Sequence, residues 1–311
     1  MLIDLTNRPL ASCPLCGGVS FTVLNTNDRY LMGLVTAGCE TCGLVQTNPR
    51  PTTEELTKFY QEEYRKFYQG VDSPDASYVK EQKKQERMQA TFEFLKSFEA
   101  INDGTRVVDV GCSEGTFFAT LRRNGCAGSF LGVEPGDAFA KHAARIPDTS
   151  VVTSMADITG MFDLASMIHV LEHQSDPLEA LKSLRKSLSP SGLLYLDIPD
   201  ADEYKNIDAL HLAHIFHFSK RTIVLLVRRA GFDIVHLETY SPVNHPHSIR
   251  LLARPSCVAL TSADVSSKAS EGLTWSKISH LSSRGKIVRR FLSKIPGLKF
   301  VFRVLRQAIR R

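Results

Sequence analysis

The sequence predicts a doubly wound α/β fold: a mostly parallel sheet of seven strands with helices on both faces, a four-cysteine ribbon in front and a basic amphipathic helix behind. Three observations lead there. Between residues 105 and 255, short apolar runs alternate with amphipathic helical stretches, the pattern of a sheet covered on both sides. Within the first fifty residues a CxxCG knuckle occurs twice. From residue 272 onward, eleven Lys/Arg are interspersed with apolar residues, without a single Asp or Glu.

The totals set the frame. A chain of 311 residues with 43% hydrophobic and 23% charged residues has ample material for a core. The net charge of +5 hides an asymmetry, because residues 1–271 hold 27 basic and 33 acidic side chains. No run of 18 apolar residues is present, which argues against a simple membrane-spanning helix. The opening stretch MLIDLTNRPLASC is too short and polar for a secretory leader, so a reducing, cytoplasmic setting is expected. There, paired cysteines hold metal more readily than they form disulfides.

The elements follow in order. Residues 1–50 read as short β pieces, SFTVLN and YLMGLVTAG, between cysteine turns. After NPRPT, Thr52 or Thr53 can cap a helix through EELTKFYQEEYRKFY, with Glu54 and Glu55 in its first turn. Residues 51–77 form this helical connection, and VDSPDAS ends it as a loop. A helix over 78–100 carries Met88, Phe92, Leu95 and Phe98 on one stripe. TRVVDVG is a buried strand, GTFFATLRRNG a helix, SFLGVEP a strand, DAFAKHAARI a helix and TSVVT a strand. FDLASMIHV is a strand, DPLEALKSLRKSL a helix and GLLYLDIP a strand. SKRTIVLLVRRAGF is a helix capped by Ser219 and stopped at Gly231, and FDIVHLETY and SIRLLARP close the sheet. The α/β domain thus spans 78–260, and 261–311 is a loose Ser-rich segment followed by the tail.

The knuckles give C-x2-C-x22-C-x2-C, from Cys13, Cys16, Cys39 and Cys42. Each turns two thiolates toward one point, and the glycine after each, Gly17 or Gly43, permits the turn. Four thiolates suit tetrahedral Zn²⁺ and leave no open position, so a structural metal is expected; four buried free thiols are the alternative. Fifty residues bury too little apolar surface to fold alone, and a metal supplies the difference. Cys112, Cys126 and Cys257 read as small core residues.

VVDVGCSEGTFF supplies the second signal. A buried strand ends in Asp109 and Gly111, passes Cys112 and Ser113, and enters a helix at Gly115. Gly111 allows close approach of a ligand, and Gly115 allows the helix to pack tightly. A dinucleotide fingerprint would need a glycine at Ser113, so a pyrophosphate cradle does not fit. Glu134 ends the next strand, where a carboxylate can accept both ribose hydroxyls. Asp157, in MADI after the third strand, can reach an adenine amine. Ribose and adenine without a pyrophosphate point to S-adenosyl-L-methionine.

On VVDVGCSEGTF, LGVEPG, MADI and FDLASMIHVLEHQSDPLEALKSLRKSLSPSGLLYLDIPD, the chain resembles class I S-adenosylmethionine-dependent methyltransferases, which have a Rossmann-like sheet. The resemblance covers roughly residues 80–255. It implies that Asp109, Gly111 and Gly115 line the methionine moiety, that Glu134 holds the ribose, and that Met155, Ala156 and Asp157 flank the adenine, with Cys112, Ser113 and His169 as further cofactor-binding candidates. The ribbon, the tyrosine-rich helix and this domain together look like methyltransferases of sugar and surface-polysaccharide biosynthesis. That likeness implies a sugar, as a nucleotide sugar or lipid-linked glycan.

Methyl transfer needs an aligned acceptor and a base. His169 and His173 lie in IHVLEH at a strand's carboxyl end; His211, His214 and His217 lie in HLAHIFHFSKRT. Each can equally be a structural histidine bonded to a backbone carbonyl. With no carboxylate nearby in sequence, a metal at the second cluster is not expected. Sugar C-methyltransferases are similar over this second stretch, where they read Tyr-x-Glu-His-x-x-Tyr-Phe-Ser. His214 keeps the histidine place, so it is the first choice as base, with His173 second and His211 beside them. Ala213 stands at the Glu place, so the machinery for carbon methylation is incomplete and oxygen methylation is favoured. Tyr64, with Tyr60 and Phe67 or with Tyr68, forms either a wall over the acceptor or simple packing between modules.

In the tail, Ile287, Phe291 and Ile295, then Leu298, Phe302, Leu305 and Ile309, form apolar stripes among basic residues. Residues 284–311 can lie on the cytoplasmic face of an anionic membrane, dock on the body, or form an oligomer contact. Three alternatives stand beside sugar O-methylation: sugar C-methylation, RNA methylation and a non-catalytic binding module. Nucleic acid is disfavoured, because residues 1–47 hold two Arg and no Lys.

Overall fold

The structure, a computed structural model, describes residues 7–29, 33–64, 83–243 and 247–268, together with Ile3, Leu5, Tyr68, Ser73, Pro74, His245 and Ile278. The expectations for Phe67 and for 284–311 lie outside the described residues.

The chain begins with three short strands, β1 (Phe21–Asn25), β2 (Thr36–Cys39) and β3 (Val45–Thr47), paired antiparallel in succession. Helix α1 (Thr53–Glu62) starts on a reciprocal cap. Thr52 Oγ1 accepts from the Glu55 N–H at 3.2 Å, and Glu55 Oε2 accepts from the Thr52 N–H at 2.9 Å. The same carboxylate takes both prongs of the Arg8 guanidinium at 2.7 and 2.6 Å, which fastens the approach to the first knuckle onto the helix. Helix α2 (Lys84–Ser97) buries Met88, Phe92 and Leu95, three members of the predicted stripe.

Strands and helices then alternate: β4 (Val107–Val110), α3 (Thr116–Arg123), β5 (Phe130–Val133), α4 (Asp137–Ala143), β6 (Thr149–Val152), β7 (Phe162–Ile168), α5 (Pro177–Lys186), β8 (Leu188–Pro199), β9 (Phe216–His217), α6 (Lys220–Arg229), β10 (Phe232–Tyr240), β11 (Ser248–Pro255) and α7 (Ser262–Lys268). Seven strands form one sheet in the order β10-β11-β8-β7-β4-β5-β6. Strands β4 to β8 pair in parallel, and β11 is antiparallel to both β8 and β10. The central strands are buried on both faces, which is why they read as unbroken apolar runs. The chain departs in opposite directions from β4 and β7, so a crevice opens at their carboxyl ends.

Two boundaries differ from the sequence reading. Helix α5 ends at Lys186, and β8 starts at Leu188, paired with Phe162, rather than at Gly192. Pro190 pushes the residue before it toward extended backbone, which favours the strand. Strand β9 lies within HLAHIFHFSKRT, which carries no strand pattern in the sequence. It pairs with β3, Val45 opposite His217 and Gln46 opposite Phe216, and so completes the ribbon's sheet from inside the α/β domain. Among the described residues no helix is long and apolar enough to cross a membrane.

Candidate active site and metal centre

The four cysteines converge. Cys13 Sγ lies 3.5 Å from Cys42 Sγ, and Cys16 Sγ lies 3.5 Å from Cys39 Sγ. All four sulfurs fall within 4.8 Å of one another. Thiolates at about 2.3 Å from zinc stand about 3.8 Å apart in a tetrahedron, so the buried cluster fits a structural Zn²⁺. The two knuckles close alike: the Gly17 N–H donates to Cys13 O and the Gly43 N–H to Cys39 O, both at 2.8 Å. Arg229 of α6 donates to the Pro14 and Leu15 carbonyls at 2.9 and 2.5 Å, which docks the first knuckle on the α/β domain.

A cavity of about 1050 Å³ runs over the carboxyl ends of the strands. Its first part is built by the turn from β4 to α3. Asp109 is the third residue of β4, and its Oδ1 accepts from the Ser166 hydroxyl at 2.6 Å. Burial pushes its carboxyl up to about 7; the Ser166 bond opposes this and the nearby Glu134 adds to it. Gly111 has φ +74°, and a Cβ there would lie 2.4 Å from Val170 Cγ2, so only glycine fits. Gly115 has φ +83°, and its Cβ would meet Ile146 Cδ1 at 2.6 Å; it does not line the cavity and instead lets the start of α3 pack against α4.

Glu134 is held by two backbone donors, Ser113 N–H to Oε2 and Gly136 N–H to Oε1, each at 3.0 Å. These bonds aim the carboxylate at the cavity it lines. Cys112 also lines the cavity, although its sulfur packs over Gly132. Met155 lines it from a single 3-10 turn, whose cap is the Ser154 hydroxyl accepting from Ala156 N–H at 3.2 Å. Ala156 and Asp157 are exposed in that turn and do not line the cavity.

His169 follows β7 with φ +54° and donates its backbone N–H to Asp197 O at 2.7 Å. Its ring stands between two acids, Nε2 3.5 Å from Asp197 Oδ1 and Nδ1 3.6 Å from Glu172 Oε1.

The far part of the cavity gathers His173, His211, His214, Tyr60, Tyr64 and Tyr68. The Tyr64 ring lies 4.9 Å from Tyr60, 5.4 Å from Tyr68 and 6.1 Å from His173. The His214 ring lies 3.9 Å from His211 and 5.0 Å from His173. The Ala213 carbonyl accepts from the Tyr60 hydroxyl at 3.0 Å and from His173 Nδ1 at 2.5 Å. Burial, then the neighbouring His211, His173, His217 and Arg29, holds His214 well below the ordinary histidine range, so its imidazole is neutral. His217 turns away: it sits in β9, its Nδ1 lies 3.1 Å from the Tyr204 hydroxyl, and burial pushes it down to about 3.

Sequence reasoning missed three features. Glu172, beside His173, is buried, and neither carboxylate oxygen has a hydrogen-bond partner among the described residues. Burial pushes it up to about 8; its own backbone N–H opposes this and Asp197 adds to it. A carboxylate next to a histidine at a strand's end was the available signal. Glu114 is the second feature, buried against the Lys84 ammonium at 2.5 Å and the Ser113 hydroxyl at 2.6 Å, with Thr116 also donating. Burial alone would raise its carboxyl, but Lys84 and the two hydroxyls outweigh this and hold it at about 2. The third is Arg87, which lines the cavity from α2.

The family model for a methyltransferase domain matches residues 80–237. A tRNA U34 carboxymethyltransferase from Campylobacter hominis is 32% identical over 115 residues, 34% of this chain and 40% of that protein. A ubiquinone biosynthesis O-methyltransferase from Vibrio campbellii is 27% identical over 100 residues, 30% of this chain and 43% of that protein. The chain therefore spans less than half the length of these curated relatives. Among solved structures, magnesium protoporphyrin IX methyltransferase from Synechocystis PCC 6803, with bound SAH, is similar in fold at a TM-score of 0.50 and 16% identity, over 66% of this chain and 99% of that one. With the model covering half of its length and the seven-stranded sheet in place, the chain belongs to the methyltransferase domain family, as an enzyme of the class I, S-adenosyl-L-methionine-dependent fold.

Proposed function

We propose that this protein methylates a hydroxyl oxygen of a sugar, presented as a nucleotide sugar or a lipid-linked glycan. One observation carries the reading: the Asp109–Glu134 end and the His173–His214–Tyr64 end belong to a single cavity of about 1050 Å³. When bound, S-adenosylmethionine supplies a methyl group already activated on a sulfonium. Glu134 accepts the ribose hydroxyls. Asp109, Gly111, Cys112 and Ser113 surround the methionine moiety, with Gly115 fixing the turn. Met155 covers the adenine, Ala156 and Asp157 stand outside the cavity, and His169 adjoins the cofactor. The histidine end orients the acceptor and receives its proton, through His214 first and His173 second, with His211 and Tyr64 contacting the substrate.

Oxygen as the acceptor agrees with Ala213, which contributes a backbone carbonyl where a carboxylate would be needed to abstract a C–H proton. It also agrees with the name of the Vibrio relative, an O-methyltransferase. The Campylobacter relative is named for tRNA, but a polyanion is poorly matched to a ribbon with two Arg and no Lys in residues 1–47. A lipid-linked acceptor would suit a basic segment at 284–311.

The test is to incubate the full chain with S-adenosylmethionine labelled with ¹³C at the methyl and a panel of nucleotide sugars, lipid-linked glycans and RNA, and to read the product by NMR. An O-methyl resonance on a sugar supports the proposal. A C-methyl resonance, or transfer to RNA alone, overturns it.

A further inference from the structure

We propose that Glu172, His173 and His214 form a second metal site, separate from the four-cysteine centre, that takes a first-row divalent ion at the acceptor end of the cavity. The sequence argued against a metal here because HLAHIFHFSKRT has no acid nearby; the fold brings one from the turn after β7. One ligand atom from each of the three side chains lies within 4.8 Å of the others, close enough to share an ion.

Four observations support the site. Glu172 is 1% exposed, yet neither carboxylate oxygen has a hydrogen-bond partner among the described residues. The nearest imidazole nitrogens, His169 Nδ1 at 3.6 Å and His173 Nε2 at 3.8 Å from Oε1, stand beyond hydrogen-bond reach, and a divalent ion would meet the carboxylate they leave unbonded. His173 is already oriented as a ligand: with its Nδ1–H donated to the Ala213 carbonyl, the neutral ring carries its lone pair on Nε2, 3.8 Å from Glu172 Oε1. This is the carbonyl-anchored arrangement usual for metal-bound imidazole. His214 Nδ1 is buried with no hydrogen-bond partner among the described residues. Finally, two imidazoles and one carboxylate are a donor set for first-row ions, and three protein ligands leave coordination positions open.

Those positions face the substrate. His173 and His214 line the cavity and Glu172 lies behind them, so an acceptor oxygen could enter the coordination sphere between the histidines and Tyr64. A hydroxyl bound to a divalent ion loses its proton more readily. With the ion in place, His214 and His173 are ligands and no longer bases, so the proton passes to water or to the neighbouring His211 ring, the O–CH3 bond forms as the S–CH3 bond breaks, and the sulfonium charge leaves as that proton. This acidifying role rests on the methyl-transfer reading; the binding site itself does not.

The experiment uses the full chain with its cysteine-bound zinc. Labile metal is removed with a mild chelator, retained zinc is counted by elemental analysis, and Mn²⁺ or Co²⁺ is titrated in. The expected result is one further ion per chain. Glu172→Gln and His214→Ala should each weaken it more than about 100-fold, since even outer-shell partners are worth about 10- to 100-fold. Both variants should keep the zinc and wild-type affinity for S-adenosylhomocysteine, which reports an intact fold. No second ion in the wild type, or equal binding by the near-isosteric Glu172→Gln, overturns the site. An ion bound as described without transfer to any acceptor supports the site and overturns the sugar reading instead.

Discussion

The backbone N–H of Ile215 donates to the carbonyl of Glu172 at 2.9 Å. One residue on, Phe216 pairs with Gln46 of the ribbon, and the Ile215 carbonyl accepts from the Thr47 N–H at 2.8 Å. The segment that carries His211 and His214 is therefore clamped between the cysteine ribbon and the turn that carries Glu172 and His173. The ribbon braces the histidine segment of the site, and a zinc ion on its four cysteines would hold that brace in place.

That linkage predicts the effect of losing the structural metal. Cys39→Ser should release zinc, whose binding in small domains is worth about 10–16 kcal/mol, and melt the ribbon with it. Turnover should fall by about tenfold or more as the histidine segment loses its edge strand, because small misplacements at a site cost up to about 100-fold. S-adenosylhomocysteine affinity, which depends on the β4 and β5 loops, should change little. Calorimetry and elemental analysis on the same sample separate the two effects.

Glu134 makes a sharper prediction about the donor. Glu134→Ala removes the charged acceptor proposed for the ribose and frees the Ser113 and Gly136 N–H groups it now orders. Hydrogen bonds to a charged group contribute about 1.5–3 kcal/mol, so affinity for S-adenosylhomocysteine should drop by roughly 10- to 150-fold. An isothermal titration with unchanged affinity would remove Glu134 from the site.

Gly111→Ala tests the turn itself. The substitution places a methyl 2.4 Å from Val170 Cγ2 at φ +74°. It should cost about 1–3 kcal/mol of stability and weaken cofactor binding in parallel. Adding Val170→Ala should recover the steric part and leave the backbone part, a split that urea denaturation of the three variants can measure.

Lys84 and Glu114 predict a pH signature. The folded Glu114 carboxyl sits at about 2, below its ordinary 4.5. Its contribution is therefore complete above pH about 4.5 and is lost as pH falls from there toward 2. Lys84→Met strands the buried carboxylate, so unfolding free energy at pH 7 should fall by about 3–5 kcal/mol. The deficit should shrink in acid, because the stranded Glu114 carboxylate of the variant takes up a proton that the wild-type group, held at about 2, does not. Equal destabilisation at pH 7 and pH 4 would show that packing of the Lys84 chain, and not its charge, is responsible.

The legible parts were those encoded locally. VVDV could be read as a buried strand because all four side chains are buried. Gly111 and Glu134 could be placed because a strand-to-helix turn and the next strand's end are fixed by sequence distance. The four cysteines announced their own geometry. By contrast, β9 is only Phe216–His217 and exists through its pairing with β3, from Val45 to His217. Glu172 lies in a turn read for its histidines, and its meeting with His214 depends on the path of the chain between them. Asp157 shows the opposite limit: its place after the third strand was readable, but its exposure in a 3-10 turn was not.

The most direct measurement is the structure of the full chain with S-adenosylhomocysteine and a nucleotide sugar bound. The ribose hydroxyls are expected on Glu134, the sulfur facing the His173–His214 end, and a sugar hydroxyl in line with it beside Tyr64. A ligand seated elsewhere, or an acceptor pocket on the other side of the β4–α3 turn with the histidine end filled by protein, would contradict this arrangement.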